Sequence, residues 1–385
     1  MEQAFYNQLA GQSIANATLA RSTALEILTS EKVELLPLLN AAFEVRKKYR
    51  GKEVSMHIIN NAQNGFCPEN CRYCAQAKTS ESDIEEYPLK SDAEILAEAQ
   101  NAYEKGAFRY CMVFAGRGPS ATRVAHIAKL IREIKAKYPP LQVCVSPGLL
   151  DEGQARILKE AGLDRLNHNL NTSQRNYPNI CTTHTYADRL NTLASARRAD
   201  IQLCSGMIAG MGETHQDILE VVYTLRELQV ESIPVNFYIP IAGNALPGRL
   251  PGWEGPAVNL SPEYCLRVLC LFRFLNPKSE LRVAAGRELH LRSMQVMALY
   301  PANSLFLDGY LNTKGDDRRR TLQMIKDAGF TIKSDHSVEA LLGKEGSALE
   351  VSPPLPGASS ADGAAGHVPM KKLQDLRIFM PSPMP

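Results

Sequence analysis

An excess of charge of either sign is missing from this 385-residue sequence, in which 43 lysines and arginines face 41 aspartates and glutamates. That balance removes the electrostatic ground for a nucleic acid or an anionic membrane surface as partner. Long hydrophobic runs are missing too. No stretch approaches the ~20 consecutive apolar residues of a membrane-spanning helix, and residues 1–13 lack the basic start and apolar stretch of a secretory leader. The expectation is a cytoplasmic protein without a membrane or nucleic-acid partner. Tryptophan occurs once, at Trp253. The cysteines are nine, an odd number that cannot pair completely. In a reducing compartment, where disulfides are rare, clustered cysteines point to metal or catalytic chemistry.

Hydrophobic residues make up 44% of the chain, enough for a large core. Residues 19–50 have helical apolar spacing and end in the basic turn Arg46-Lys47-Lys48 before Gly51, which predicts a helical N-terminal extension over residues 1–50. Pro37, lacking a backbone donor, is expected to divide that stretch into two helices. Beyond Gly51, strand-like runs at 54–60, 109–114, 141–145, 165–169, 201–205, 232–237, 281–284 and 303–306 alternate with amphipathic helical segments. About eight strand–helix repeats over roughly 250 residues predict an α/β fold, a (β/α)8 TIM-type barrel spanning 51–340. A doubly wound open sheet satisfies the same alternation. Residues 341–385, with Pro353-Pro354 and Gly357-Ala358-Ser359-Ser360, are expected to form a disordered tail, and 247–259 reads as a surface loop carrying Trp253.

Three cysteines, Cys67, Cys71 and Cys74, lie within eight residues just after the first predicted strand. A four-iron cluster is ordinarily held by four thiolates, so three leave one iron open to a chelating small molecule. Structural zinc takes four closed protein ligands, and no fourth Cys or His follows here at zinc-finger spacing. A second group is dispersed: Cys111, Cys144 and Cys204 fall in the second, third and fifth predicted strands. Each alone reads as a small buried hydrophobe. Facing inward in a barrel, where alternate strand residues point to the interior, the three would converge.

The Cys-x3-Cys-x2-Cys spacing, with Tyr73 before the third cysteine, resembles the signature of the radical S-adenosylmethionine (SAM) superfamily. The longer blocks at 64–74, 167–173, 185–190, 204–214, 232–236 and 285–288 are similar to the biotin synthase family, and the similarity runs from Val54 to about Gly329. The resemblance implies that Cys67, Cys71 and Cys74 hold a 4Fe–4S cluster on which SAM is cleaved to a 5′-deoxyadenosyl radical. It implies that Cys111, Cys144, Cys204 and Arg287 hold a 2Fe–2S cluster that donates sulfur, and that dethiobiotin becomes biotin. Tyr73 would then pack near the adenine, Asn171 meet the ribose and Arg189 the SAM carboxylate. Asn169 would touch both SAM and the ureido ring, and Asn236 the ring; neutral amides suit a ureido group, which donates and accepts. Asn171 stands where the family pattern has Asp. A flavodoxin or ferredoxin electron donor and a homodimer follow from the same resemblance. Another radical SAM enzyme on this scaffold would not need the three strand cysteines, and a mere cluster carrier would need no SAM or substrate pocket. Cys181 matches no ligand role, and Cys265 and Cys270 read as core.

Overall fold

A computed structural model describes residues 1–246, 259–313 and 315–349. The strands are β1 (Glu53–Gln63), β2 (Arg109–Phe114), β3 (Gln142–Ser146), β4 (Arg165–Asn167), β5 (Gln202–Cys204), β6 (Met207–Ala209), β7 (Ser232–Phe237), β8 (Glu280–Val283), β9 (Ser304–Phe306) and β10 (Thr331–Ile332). All pairings between them are parallel, in the order β1, β2, β3, β4, β5, β7, β8, β9, and β9 pairs back to β1 from Ser55↔Ser304 to His57↔Phe306. That last pairing closes the (β/α)8 barrel and excludes the open sheet. β10 adds outside the ring, at the start of β1.

Helices cross between the strands and most begin on local signals. Reciprocal caps open four of them, pairing Ser91 with Glu94, Asp151 with Gln154, Thr185 with Asp188 and Thr214 with Asp217. The buried apolar faces of Ala121–Lys137 and Pro262–Leu275 cover the sheet from outside.

The fifth strand departs from expectation. It breaks after Cys204 and resumes as β6, because Pro234 of β7 has no N–H to give its neighbour and a side chain at Gly206 would overlap the Pro234 carbonyl oxygen. The break lets Asn171 enter the ladder: its N–H donates to Gly206 O (3.0 Å) and its carbonyl accepts from Ile208 N (2.8 Å).

Residues 1–50 form three helices, α1 (Gln3–Ile14), α2 (Arg21–Thr29) and α3 (Leu35–Arg50). Pro37 does not divide them. It sits in the first turn of α3, where its missing donor has no helical acceptor to lose, and the chain turns earlier, between Ser30 and Glu34. The extension packs against Pro262–Leu275 and the entry to β1: Ser13 Oγ donates to Phe274 O (2.8 Å) and Arg46 Nη2 to Glu53 O (2.9 Å). A helix at Val338–Leu349 carries order past residue 340; the rest of the expected tail, 350–385, and most of the 247–259 loop with Trp253 lie outside the described residues. Among the described residues, no helix is long and apolar enough to cross a membrane.

Candidate active site

Strand alternation decides what fills the barrel. Cys111 and Cys144 are register partners on β2 and β3, Cys204 ends β5, and the three thiols pack together with Ala284 and Phe306. Cys144 lies beside Cys111 in register and packs with Cys204 in the same cluster. Interaction with the Cys144 thiol, with Arg282 and Arg109 beyond it, lowers the thiol pKa values of Cys111 and Cys204 against the opposing effect of burial. The three thiols thus occupy one buried spot that favours thiolate at Cys111 and Cys204, while Cys144, between them, is pushed well above the ordinary thiol value.

Beneath them lies a charged floor that the sequence reading missed. Arg109, two residues before Cys111 and so on the same face, donates through Nη1 and Nη2 to Glu280 (2.8 and 3.1 Å). Arg282 donates to Glu280 (2.8 Å), Ser232 (3.0 Å) and Ser304 (3.1 Å), and its Nη1 is 3.8 Å from Cys204 Sγ. Arg165 approaches the same carboxylate at 3.6 Å and His57 at 3.2 Å. Burial, then Arg282 and Arg109, press the His57 pKa well below its usual value, so the imidazole is neutral. Three guanidiniums against one carboxylate leave surplus positive charge under the cysteines. An i, i+2 pair of charges on a buried strand, Glu280 and Arg282, was the available signal.

Arg287, placed with the cysteines by the family resemblance, is not brought against them. It follows Gly286, whose φ of 78° turns the chain out of β8 into the helix Arg287–Leu291, and its Nη2 donates to Glu288 (2.7 Å). Its other terminal nitrogen is buried with no hydrogen-bond partner among the described residues, and the residue lines a cavity of about 20 Å³ together with Ala284 and Phe306. The arginine on the thiols is Arg282, because the inward phase of β8 falls on 280, 282 and 284.

Cys67, Cys71 and Cys74 sit on the loop leaving β1, at the C-terminal end of the barrel strands. Cys71 is buried, and Cys67 and Cys74 are half-buried. The loop is strapped to the segment before helix Tyr186–Arg198: Arg72 N donates to Ile180 O (2.9 Å), and Asn70 Oδ1 accepts from Thr182 N (3.0 Å) and Thr183 N (3.2 Å). That strap brings two residues the sequence reading left out. Cys181 Sγ is 3.6 Å from Cys71 Sγ, and His184, in contact with Cys181, donates from Nδ1 to the buried Glu69 carboxylate. Burial raises the Cys74 thiol to about 11 and also pushes Cys67 up.

The residues expected around SAM meet here. Asn171, in the left-handed region at φ 68°, donates from Nδ2 to the Tyr73 hydroxyl (2.6 Å). Arg189 donates to Asn169 O (2.8 Å), to His184 Nε2 (2.9 Å) and to the Tyr177 hydroxyl. The Asn169 side-chain oxygen is buried without a hydrogen-bond partner among the described residues, an acceptor held ready for a ligand donor. Asn236 stands apart: its amide donates to Met207 O (3.0 Å) and accepts from Ala285 N (3.1 Å), tying β7 to β6 and to the end of β8. One amide hydrogen and one lone pair remain for a ligand.

Comparison with known proteins shows the family. A family model of the radical SAM superfamily matches residues 64–225, and one of the biotin and thiamin synthesis associated domain matches residues 234–331. The chain is 57% identical over 309 residues to a biotin synthase of Magnetococcus marinus, covering 80% of this chain and 94% of that protein. A biotin synthase of Acaryochloris marina is 53% identical over 325 residues, 84% of this chain and 91% of the relative. Among solved structures, a methylornithine synthase superposes with a TM-score of 0.70 at 18% identity, covering 84% of this chain and 96% of that one; at such identity the likeness is one of fold.

Proposed function

The chain belongs to the biotin synthase family, a radical SAM enzyme that inserts sulfur into dethiobiotin, and we propose that its two thiol sets divide that work along the barrel axis. Cys67, Cys71 and Cys74 would hold the 4Fe–4S cluster. Cys111, Cys144 and Cys204, with Arg282 in place of Arg287, would hold a 2Fe–2S cluster as the sulfur source. Both sets fit such groups by donor chemistry, being soft thiols; in the inner set Cys111 and Cys204 are biased toward thiolate, with the Arg282 guanidinium to balance the charge. The observation that carries the reading is the convergence of three cysteines from three strands on one arginine.

When bound, SAM and the iron–sulfur groups supply the hydrogen-abstracting radical and the sulfur. The chain's own residues bind, orient and exclude water. Arg189, buried and fixed by Tyr177 and Asn169, presents positive charge to a carboxylate. Asn171, braced on Tyr73, offers its carbonyl to a ribose hydroxyl, as an Asp would but without charge. The free acceptor of Asn169 and the remaining donor of Asn236 suit a ureido ring. Substrate held between the two thiol sets is shielded from solvent and set near both reacting partners. A flavodoxin or ferredoxin donor, a homodimer and a cytoplasmic setting go with this reading.

Two variants test it under anaerobic reconstitution. Cys71→Ala should abolish SAM cleavage. Cys144→Ala should leave a four-iron signal and SAM cleavage in place yet form no biotin. Equal loss of all iron signals in both variants would contradict two separate sites.

A further inference from the structure

Glu69 and His184 have no assigned part in the function proposed above, yet both stand behind Arg189. Three of the five N–H groups of that buried arginine are taken: Nε by the Tyr177 hydroxyl, one on Nη1 by Asn169 O (2.8 Å) and one on Nη2 by His184 Nε2 (2.9 Å). Two N–H groups remain, one on each terminal nitrogen, the number a bidentate carboxylate takes. The guanidinium carbon lies over the Tyr177 ring, 5.6 Å from its centroid. Which way the free pair faces is set by the anchors on Nη1 and Nη2.

The anchor on Nη2 depends on a tautomer. A guanidinium has no acceptor, so His184 Nε2 must carry the lone pair and the ring proton must sit on Nδ1. The other tautomer would turn an N–H against Arg189. Glu69 makes the choice, because its carboxylate faces Nδ1 and accepts from it. That carboxylate is buried and held in its turn: Thr183 Oγ1 donates to Oε2 (2.6 Å), and Arg117 Nη1 lies 3.4 Å from Oε1. The Tyr177 ring packs edge-on to the imidazole, with centroids 5.9 Å apart, and fixes its plane.

We propose that Glu69 and His184 are positioning residues for SAM: Glu69 fixes the His184 tautomer, and His184 holds Arg189 with its two free N–H groups turned to the SAM carboxylate. The proposal rests on the assignment of Arg189 to that carboxylate. Glu69 belongs to the loop of Cys67, Cys71 and Cys74, and Arg189 to the helix Tyr186–Arg198. The relay therefore ties the arginine to the same loop that carries the three cysteines.

The test is a double-mutant cycle on anaerobically reconstituted protein, read by equilibrium dialysis of radiolabelled SAM and by KM and kcat for SAM cleavage with a chemical reductant. Four-iron absorbance and circular dichroism check each variant as loaded and folded. His184→Leu should weaken SAM binding about 10-fold, the size of one lost hydrogen bond to a charged group. KM should rise to match, with kcat unchanged. His184→Gln, whose amide donates and accepts at once, should recover most of the loss. Glu69→Gln, whose amide can donate to Nδ1 and so admit the other tautomer, should behave as His184→Leu does, and it carries the cycle if His184→Leu fails to fold. Arg189→Met should weaken binding further, and adding His184→Leu to it should change nothing more. Losses that add fully in the double variant overturn the positioning role. So does full binding by His184→Leu beside weakened binding by Arg189→Met, which leaves the assignment of Arg189 standing. Unweakened binding by Arg189→Met overturns that assignment and the proposal with it.

Discussion

Replacing Arg282 by leucine, and Arg287 by leucine in parallel, separates two arginines only five residues apart. Arg282 is fully buried and gives hydrogen bonds to Ser304, Ser232 and Glu280 besides its contact with Cys204. Breaking a buried ion pair by removing one partner costs ~3–5 kcal/mol. Two features bring Arg282→Leu to the low end. Glu280 keeps both bonds from Arg109, and Ser232 Oγ keeps its own bond to Glu280 (2.8 Å). The expected loss is about 3 kcal/mol. Arg287 has one ion pair, to Glu288, whose side chain is 22% exposed, so Arg287→Leu should cost only about 1 kcal/mol. Denaturant midpoints of the iron-free proteins read this difference. Absorption and Mössbauer spectra of the reconstituted proteins read the second consequence: of the two variants only Arg282→Leu should shift the two-iron signature, since of these two arginines only Arg282 touches a thiol. A larger destabilisation by Arg287→Leu, together with a two-iron signature altered in that variant alone, would refute the reasoning.

Asp217 braces the loop that carries Asn169 and Asn171: it accepts from Ser173 Oγ (2.5 Å), Arg175 Nε (2.9 Å) and Thr214 N (2.7 Å). Burial opposes its charge, but Arg175, Ser173 and Thr214 prevail and hold it at about 2, below the usual 3.8. A depressed folded-state pKa stabilises fully above the unfolded value and is lost as pH falls through the folded one. Asp217→Asn should therefore cost ~2 kcal/mol at neutral pH, with the gap in urea midpoint closing through the carboxylate range; a gap independent of pH would contradict this. Gly286→Ala should lower the melting temperature by the equivalent of ~2 kcal/mol, since φ is 78° and the new methyl meets Phe237 O. Gly11→Ala, on a helix with nothing within 4 Å, should instead gain ~0.5–1 kcal/mol; equal effects of the two would count against the backbone argument.

The barrel was legible because strand and helix periods alternate cleanly and because Cys111, Cys144 and Cys204 sit at inward phases of their strands. Fine phase was harder. The arginine was placed at 287, where a motif ends, although the alternation Glu280, Arg282, Ala284 already points 282 inward and Gly286 ends the strand before 287 is reached. The split of the fifth strand depends on Pro234, a residue on a different strand some thirty positions away, so no local pattern announces it. Cys181 and His184 were silent for the same reason: their nearness to Cys71 comes from the strap between Asn70 and residues 182–183, a tertiary contact with no sequence period. Pro37 misled because a proline in a first helical turn and one in a helix interior look alike until the cap is placed.

The central claim is that two thiol sets at different depths of one barrel serve radical generation and sulfur donation. Mössbauer spectroscopy with iron and sulfide analysis on anaerobically reconstituted protein, before and after SAM, dethiobiotin and reductant, tests it most directly. The account predicts a four-iron and a two-iron signal, with the two-iron signal lost as biotin appears. A four-iron signal alone, with no biotin formed, would contradict it and return Cys111, Cys144 and Cys204 to the core.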